Sequence, residues 1–387
     1  MTERPIITWN EGDEQRTARW RSESGLPAPE YVVIADDTMT ANAAYRLACA
    51  GTALLWRGDF HNARQLLQAM ARRTERNQGQ TRSSGKRAAP ANPLNPLDAF
   101  NRQRQAQGQR ARILGMLLLP FEADHDIPLR RAPDVRQACH EAYGDADEPY
   151  VASLRELQGL IGAHEWRKKG IEVAALGARI HPHYGVFAPI RSEYVGLVAS
   201  APLPAPVEKI LAFDIGTGTG VLAAVLAQRG IRHIVATDTN PRALACAREN
   251  LARLGLNEQV DVMEADLFPA GQATLVVCNP PWVPAQPNSA LEHAVYDPDS
   301  RMLRGFLGGL AAHLAPGGEG WLILSDLAEH LGLRTREELL ALIAQAGLKV
   351  VGRLDTRPHH PRATDSSDPL HAARAKEVTS LWRLAAR

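Results

Sequence analysis

The strongest constraint on the fold of this 387-residue chain is the regular alternation of strand-like and helix-like segments after Pro206. Short apolar and β-branched runs predict the strands, and the longer segments between them carry helical apolar spacing. Strands that alternate with helices build a doubly wound, mostly parallel sheet, so residues 207–387 are expected to form one α/β domain. The seven predicted strands are 210–214, 233–238, 260–264, 275–278, 321–324, 349–354 and 378–384.

A glycine-rich turn follows the first of these strands. Asp214, Gly216, Gly218 and Gly220 form the pattern D-x-G-x-G-x-G between a strand and a helix. Glycine lets the backbone turn sharply and approach a ligand closely. The helix N-terminus behind it offers free N–H groups and the positive end of a dipole. The turn therefore predicts a ligand that carries a carboxylate or a phosphate.

Two acidic residues follow the next two strands. Asp238 ends the second strand, where a carboxylate can accept hydrogen bonds from ribose hydroxyls. Asp266 follows the third strand, where a carboxylate can accept from an adenine amine. With the glycine turn they indicate a cofactor that contains adenosine. The turn also satisfies the looser dinucleotide pattern G-x-G-x-x-A, so NAD and S-adenosylmethionine both fit at this point. The alternatives are a helix cap for Asp238 and a surface turn for Asp266.

The fourth strand runs directly into Asn279, Pro280, Pro281 and Trp282. The two prolines fix φ and remove two N–H donors, which gives a rigid turn at the carboxyl edge of the sheet, where ligands bind in such folds. The Asn279 amide oxygen and the Pro280 carbonyl can accept both hydrogens of an –NH2 group. Trp282 offers a flat face for a planar amide or base. A purely structural proline turn is the alternative.

This arrangement suits the methylation of nitrogen. The nitrogen of an amide or aromatic amine is a poor nucleophile because its lone pair is delocalised. Two acceptors on its hydrogens expose that pair, and the remaining catalysis is orientation and desolvation. The motif therefore favours S-adenosylmethionine as the cofactor, with neither a metal nor a side-chain nucleophile.

The set of motifs and their order along the chain resemble the "small domain" group of class I methyltransferases. The motifs are, in order, the DIGTGTG turn, Asp238, Asp266 and CNPPW. That group includes the HemK-type glutamine methyltransferases and several rRNA and tRNA base N-methyltransferases. The resemblance covers roughly residues 180–387 and implies a seven-strand, Rossmann-like methyltransferase domain. The HemK segment that helps to close the cofactor pocket usually reads P-R-P-x-T-E, whereas residues 189–193 read PIRSE. The usual NPPY is NPPW here.

The N-terminal half is expected to be a separate α/β or α+β domain that recognises the substrate, over residues 1–165. Residues 166–206 then form a connecting segment that closes the cofactor pocket. The predicted elements of the N-terminal domain are a strand at 31–35, two helices between 40 and 71, a strand at 113–119, and helices at 135–143 and 150–161.

Within that domain, residues 72–112 contain ten Lys or Arg and only two acids. Polar and small residues fill most of the rest, which favours a mobile basic insertion because little apolar surface is available to offset its ordering. A short helix near residues 96–105 is compatible with this interpretation. The segment is either a solvated linker or an arm that binds phosphates.

Other features of the composition limit the class of protein. The formal net charge is +1, and the four cysteines show no zinc or disulfide spacing. The N-terminus has no signal-peptide pattern, and the longest apolar run, 113–121, is far shorter than a membrane span. We therefore expect a soluble cytoplasmic protein without a membrane partner.

Two further groups of side chains are candidates for a functional role. A histidine-rich stretch near the C-terminus contains possible metal ligands, but a surface loop is the preferred interpretation. The residues that follow the NPPW motif line either the substrate pocket or a solvated loop. The first group is His359, His360, Asp365, Asp368 and His371, and the second is Glu292, His293, Tyr296 and Asp297.

The sequence thus predicts methyl transfer from S-adenosylmethionine to a nitrogen of a macromolecule. A protein glutamine amide is preferred because of the HemK resemblance. An exocyclic amine of an RNA base is supported by the basic insertion, and a small-molecule acceptor stays possible. The alternatives are a catalytically inactive S-adenosylmethionine-binding module and, more weakly, an oxidoreductase, whose chemistry does not need NPPW.

Overall fold

The computed structural model describes residues 5–83, 95–287, 292, 294–358 and 368–387, except for the side chains of 77–83. The chain forms two compact units. Unit 1 comprises Met1–Leu94 and Asn101–Glu165, and unit 2 comprises Asn95–Phe100 and Trp166–Arg387.

Unit 1 contains a six-stranded mixed sheet in the order β1-β2-β6-β5-β4-β3. The neighbours β1–β2 and β5–β6 are antiparallel, and the other pairs are parallel. The elements are β1 (Ile6–Glu11), β2 (Glu14–Arg21), β3 (Tyr31–Ala35), α1 (Ala41–Cys49), β4 (Thr52–Trp56), α2 (Phe60–Ser83), α3 (Pro96–Gly115), β5 (Leu117–Phe121), α4 (Arg136–Tyr143), β6 (Tyr150–Ser153) and α5 (Leu154–Lys169).

Unit 2 contains a seven-stranded sheet in the order β11-β10-β9-β12-β13-β15-β14, preceded by the hairpin β7–β8. The first five strands are parallel, and β15 is antiparallel to both neighbours. The elements are β7 (Ile171–Val173), β8 (Ala178–Ile180), α6 (Glu193–Ser200), β9 (Leu211–Ile215), α7 (Val221–Gln228), β10 (His233–Asp238), α8 (Pro241–Arg253), β11 (Val260–Glu264), β12 (Ala273–Cys278), α9 (Arg301–His313), β13 (Leu314–Ser325), α10 (Leu327–His330), α11 (Arg336–Gln345), β14 (Leu348–Thr356), α12 (His371–Arg374) and β15 (Thr379–Ala386).

Apolar residues of the central strands pack on both faces of this sheet. Ala212 of β9 and Val277 of β12 join a core with α6 and α7. Phe213 of β9 and Val276 of β12 join a second core with α9 and α11. Successive residues of a strand point to opposite faces, so a buried parallel strand needs a continuous apolar run rather than an alternating one. The predicted α/β fold, with its seven-strand Rossmann-like domain, is confirmed.

Residues 72–112, expected from the sequence to form a mobile insertion, are helical in the parts that the structure describes. Helix α2 continues to Ser83, and helix α3 begins at Pro96. Buried Met70 and Thr74 anchor α2, and buried Ile113 and Leu114 anchor α3. Gln, Arg and Ala are good helix formers, so a few anchoring contacts are enough to stabilise a polar helix. Residues 84–94 lie outside the described part.

Three other expectations in unit 1 are corrected. Thr52–Trp56 is strand β4 rather than part of a helix, and Tyr150–Ser153 is strand β6. Residues 113–115 end helix α3, and the strand begins only at Leu117. Short buried apolar runs look alike in strands and helices, because both faces are apolar in either case.

The structure also bears on the expectations drawn from composition. Among the described residues, none of the helices combines the length and the apolar character that crossing a bilayer requires. All four cysteines are unpaired, and Cys139, Cys246 and Cys278 are buried.

Candidate active site

The glycine turn lies at the carboxyl end of β9, as the sequence predicts. Gly216, Gly218 and Gly220 have φ values of +70°, +56° and +80°. This left-handed region strains residues with a Cβ. A Cβ on Gly220 would lie 3.2 Å from the Ala247 Cα, whereas one on Gly218 would meet nothing within 4 Å. Gly220 therefore allows α7 to pack against α8, and Gly218 leaves open space over the turn.

Asp214 lies beneath this turn and is 1% exposed. Its Oδ2 accepts hydrogen bonds from the Thr217 hydroxyl at 2.7 Å and from the Ala223 N–H at 3.1 Å. Burial raises the pKa of Asp214 to about 6, although these two hydrogen bonds oppose the change. Its Oδ1 is buried and has no hydrogen-bond partner. Since a buried acceptor without a donor is unfavourable, this atom suits a ligand that brings an N–H group.

Asp238 supports the turn from the neighbouring strand. Its Oδ2 accepts from the Gly218 N–H at 3.0 Å, and its Oδ1 accepts from the Asn240 N–H at 2.9 Å. The cap of helix α8 is Asn240, whose side chain accepts from the Arg242 N–H. An ionised carboxylate has about four acceptor sites, so Asp238 can still bind two hydroxyl groups.

Asp266 follows β11, the edge strand next to β10. Its side chain is 72% exposed and lies 3.5 Å from the exposed Arg301 guanidinium, an ion pair that contributes little in water. The N–H of Ala265 donates to the Asp238 carbonyl at 3.2 Å. Asp214, Asp238 and Asp266 therefore lie at or just beyond the carboxyl ends of three adjacent strands, at one edge of the sheet.

The Asn279–Trp282 segment leaves the same edge. Strand β12 pairs with β9 so that Cys278 lies opposite Ile215, and Asn279 therefore follows at the level of the glycine turn. The Trp282 indole N–H donates to Asn279 Oδ1 at 2.8 Å. Pro280 is buried, and Asn279, Pro281 and Trp282 are half-buried. The sequence-predicted residues of both motifs are thus brought to one edge, while their individual roles stay predictions.

Two residues of the segment before the glycine turn hold the Trp282 ring. The Tyr194 ring meets it edge-on, with centroids 6.3 Å apart and planes at 89°. The Arg191 guanidinium lies 5.4 Å from the Trp282 centroid, within the range of a cation–π contact. Arg191 belongs to residues 189–193, which differ from the usual HemK form, and Trp282 replaces the tyrosine of the usual NPPY motif. The two departures from the family pattern are therefore in contact with each other.

Sequence reasoning did not find the partners of Arg191. Its guanidinium donates to Glu377 at 3.0 Å and to Glu193 at 3.3 Å. Glu377 is 3% exposed and also accepts from the Ser325 hydroxyl at 2.6 Å. Arg191 and Glu377 are 186 residues apart in the chain, so nothing local in the sequence connects them.

The loop after Trp282 has a structural role at its far end. The N–H of Asp297 donates to the Val283 carbonyl at 2.9 Å, which closes the loop. The buried Asp297 carboxylate accepts from the N–H groups of Met302 and Leu303 and so caps helix α9. Asp297 is therefore not a free pocket residue, and Tyr296 packs beside Phe100 within unit 2. His293 lies outside the described residues.

The histidine-rich stretch is only partly described. His359, His360 and Asp365 lie outside the described residues, and His371 begins the short helix α12 after Asp368. In the part of the chain that the structure covers, no group of three His, Cys, Asp or Glu side chains is arranged to hold a metal ion.

Comparison with known proteins identifies the family. Residues 178–333 match the family described as methyltransferase small domain. The release factor glutamine methyltransferase of Xylella fastidiosa is 30% identical over 265 residues, which cover 62% of this chain and 91% of that protein. The chain belongs to the HemK-type family of class I methyltransferases. The predicted resemblance and the predicted cofactor, S-adenosylmethionine, are confirmed.

The chain aligns with smaller parts of some other relatives. The release factor glutamine methyltransferase of Cereibacter sphaeroides is 34% identical over 42% of this chain and 60% of its own length. That of Deinococcus radiodurans is 38% identical over 29% of this chain and 44% of its own. The chain thus spans about half the length of these two relatives. A methyltransferase of Thiobacillus denitrificans solved with S-adenosyl-L-homocysteine is 18% identical over 53% of this chain and 95% of that one, with a TM-score of 0.37.

Proposed function

We propose that this HemK-type protein transfers a methyl group from S-adenosylmethionine to the side-chain amide nitrogen of a protein glutamine. The observation that carries the proposal is the position of Asn279. Its amide oxygen lies at the carboxyl edge of the sheet, one strand away from the glycine turn, in the register that joins β12 to β9. An acceptor amide bound there faces the edge at which the cofactor would be held.

The residues at the turn fit the proposed cofactor. Asp214 Oδ1 is a buried acceptor for the amino group of the methionine part. The space over Gly218 admits the cofactor backbone, and the free positions of Asp238 accept ribose hydroxyls. The exposed Asp266 carboxylate is available to the adenine amine. Bound S-adenosylmethionine supplies an electrophilic methyl group on a sulfonium centre.

The NPPW residues act on the acceptor. The second lone pair of Asn279 Oδ1 and the Pro280 carbonyl accept the two amide hydrogens, which turns the nitrogen lone pair towards the methyl group. Transfer to this nitrogen would form the N–CH3 bond at the expense of the S–CH3 bond of the bound methyl donor, leaving its sulfur as a neutral thioether, and the nitrogen would release one proton to water. The Trp282 face excludes water from the planar amide. Catalysis therefore needs orientation rather than an ionisable base.

The choice of a protein acceptor rests on the relatives. Those from Xylella fastidiosa, Cereibacter sphaeroides and Deinococcus radiodurans are named release factor glutamine methyltransferases. A release factor is accordingly the first acceptor to test. The predicted cytoplasmic location also stays part of the proposal, and the four unpaired cysteines support a reducing compartment.

The test is to incubate the protein with radiolabelled S-adenosylmethionine and a cell lysate, and then to digest with protease or nuclease. We expect protease to remove the label, and peptide mass spectrometry to find one added methyl group on a glutamine. The Asn279→Ala variant is the control for background transfer. A label that resists protease and disappears with nuclease would overturn the protein acceptor and support an RNA base amine.

A further inference from the structure

Helix α2 and the part of helix α3 that belongs to unit 1, residues 101–115, each expose one row of arginine and glutamine side chains. Side chains three or four positions apart lie on the same face of a helix, so each set forms a continuous row. All eight residues are exposed. We call these sets the arginine rows: Arg64, Gln68, Arg72 and Arg76 on α2, and Arg102, Gln105, Gln109 and Arg112 on α3.

Neither row contains an acid. The acids within 60–76 and 95–115 are Glu75 and Asp98. Glu75 lies outside the row on α2, and its carboxylate is paired with Arg110 at 2.7 Å, a contact that joins the two helices. Among the described residues, the five arginines of the rows form no ion pair. Their positive charge is therefore uncompensated at the surface of unit 1.

Several other exposed arginines of unit 1 do have carboxylate partners. Arg16 pairs with Glu14 at 3.0 Å, and Arg136 pairs with Asp134 at 3.0 Å. The whole chain has a net charge of only +1, so a general excess of basic residues does not explain the rows. The unpaired positive charge is instead concentrated on two particular helix faces.

The charges of the row on α2 do not stabilise that helix through one another. Arg72 and Arg76 are four positions apart, and like charges at this spacing destabilise a helix by roughly 0.2–0.5 kcal/mol. Nor do the rows form an amphipathic membrane surface, because the described parts of α2 and α3 expose no large hydrophobic side chain. A ligand with several negative charges would account for both observations.

We propose that the arginine rows bind the phosphate backbone of a nucleic acid. The planar guanidinium group binds phosphate oxygens with two parallel hydrogen bonds, and glutamine amides contact phosphates and sugars. Successive members of a row are roughly 5–6 Å apart along the helix, so an extended backbone can contact several of them. Unit 1 thus contributes a nucleic-acid surface in addition to the methyl transfer proposed for unit 2, and its binding does not depend on that reaction.

The direct test is fluorescence anisotropy of the full-length protein with labelled single-stranded RNA and with DNA of the same sequence. Five arginine–phosphate contacts predict that log K falls with log[salt] with a slope of about −3.5 on a single strand. Between about 50 and 200 mM salt the affinity should therefore fall on the order of 100-fold. Comparison of the affinities for RNA and for DNA shows which backbone is preferred.

Paired variants locate the binding surface. Arg72→Gln with Arg76→Gln should reduce the slope by about 1.4, and Arg102→Gln with Arg112→Gln should do the same. The matched control, Arg232→Gln with Arg357→Gln, removes the same charge from exposed positions of unit 2 and should leave binding unchanged. Circular dichroism checks that each variant is folded, which is expected because the changed side chains are exposed.

Three results would overturn the proposal. The first is that neither RNA nor DNA binds at low salt. The second is that the control pair weakens binding as much as the row variants do, which would mean that only net charge matters. The third is that an acidic peptide of equal charge competes as well as RNA, which would identify the rows as a site for an acidic protein.

Discussion

The indole N–H of Trp282 donates a 2.8 Å hydrogen bond to the amide oxygen of Asn279. This contact fixes which side of the amide carries the oxygen and leaves its second lone pair for an acceptor N–H. Trp282 is itself held by the edge of Tyr194 and by the Arg191 guanidinium. The tryptophan of NPPW therefore orients the asparagine as well as offering a flat face.

We predict that Trp282→Phe lowers the methylation rate about 10-fold and leaves cofactor affinity unchanged. Phenylalanine keeps an aromatic face but loses the N–H, and one such hydrogen bond contributes on the order of 1 kcal/mol. Single-turnover kinetics and calorimetry with S-adenosylmethionine measure the two effects. The exposed Trp166 gives a matched control, Trp166→Phe, which should behave as wild type. An unchanged rate in Trp282→Phe would show that the hydrogen bond does not orient Asn279.

Asn279→Ala should have a larger effect on the same step. It removes the acceptor itself, and the loss of one preorganised polar contact in an active site slows reactions on the order of 100-fold or more. Binding of S-adenosylmethionine should change little, because the cofactor is assigned to the turn after β9. The measurement is initial rate at saturating cofactor, with calorimetry in parallel. A variant that lost cofactor affinity and rate together would place Asn279 in the cofactor site instead.

Asp238→Ala should mainly weaken the binding of S-adenosylmethionine, in contrast to Asn279→Ala, which should mainly lower the methylation rate. Asp238→Ala removes acceptors for the ribose hydroxyls and also the bond to the Gly218 N–H, so cofactor binding should weaken by about 1–3 kcal/mol. Calorimetry of the unmodified protein and the variant measures the difference, and Asp261→Asn, an exposed carboxylate on β11, is the control. If NADH binds to the wild type and S-adenosylmethionine does not, the cofactor assignment fails.

The edge of the sheet that carries the site could be predicted from the sequence because each residue follows its own strand. Asp214, Asp238, Asp266 and Asn279 end or follow four strands with clear apolar runs, and the carboxyl ends of parallel strands meet at one edge. Their order in the chain was enough to bring them together. No contact between distant segments had to be known.

The contacts that hold the site residues in place could not be predicted in this way. The Arg191–Glu377 pair joins the segment before the glycine turn to the segment before the last strand. No periodicity or motif relates two residues that far apart. The same limit explains strand β4, which is defined by pairing with β3 and β5 and not by an alternating pattern of its own.

Helices α2 and α3 show a different limit. Low apolar content correctly indicates that a segment cannot form a core by itself. It does not exclude a helix that is anchored elsewhere, as Phe60 and Ile113 anchor these two. Composition therefore identified the unusual charge of residues 72–112 but not the length of the two helices.

The pH dependence of the unliganded protein should reveal the strained position of Asp214. Burial raises its pKa from 3.8 to about 6, so the fold favours the protonated form. The stability that Asp214 contributes is therefore fully present below pH 3.8 and is lost as pH rises through 6. Asp214→Asn cannot ionise and escapes this loss. As the pH rises from about 5 to about 7.5, the unfolding free energy of the variant minus that of wild type should therefore increase by about 1–2 kcal/mol.

Urea denaturation at the two pH values, without cofactor, measures this difference, and other titrating groups cancel between the two proteins. Binding of S-adenosylmethionine should show the complementary trend. Its amino group favours the ionised carboxylate, so wild-type affinity should rise with pH up to about 6 and then level off, while Asp214→Asn binds weakly at every pH. Asp261→Asn should follow wild type in both measurements. If the stability difference between wild type and Asp214→Asn does not change with pH, Asp214 ionises at its ordinary pKa. Its unpartnered oxygen would then not be a binding position for the amino group of the cofactor.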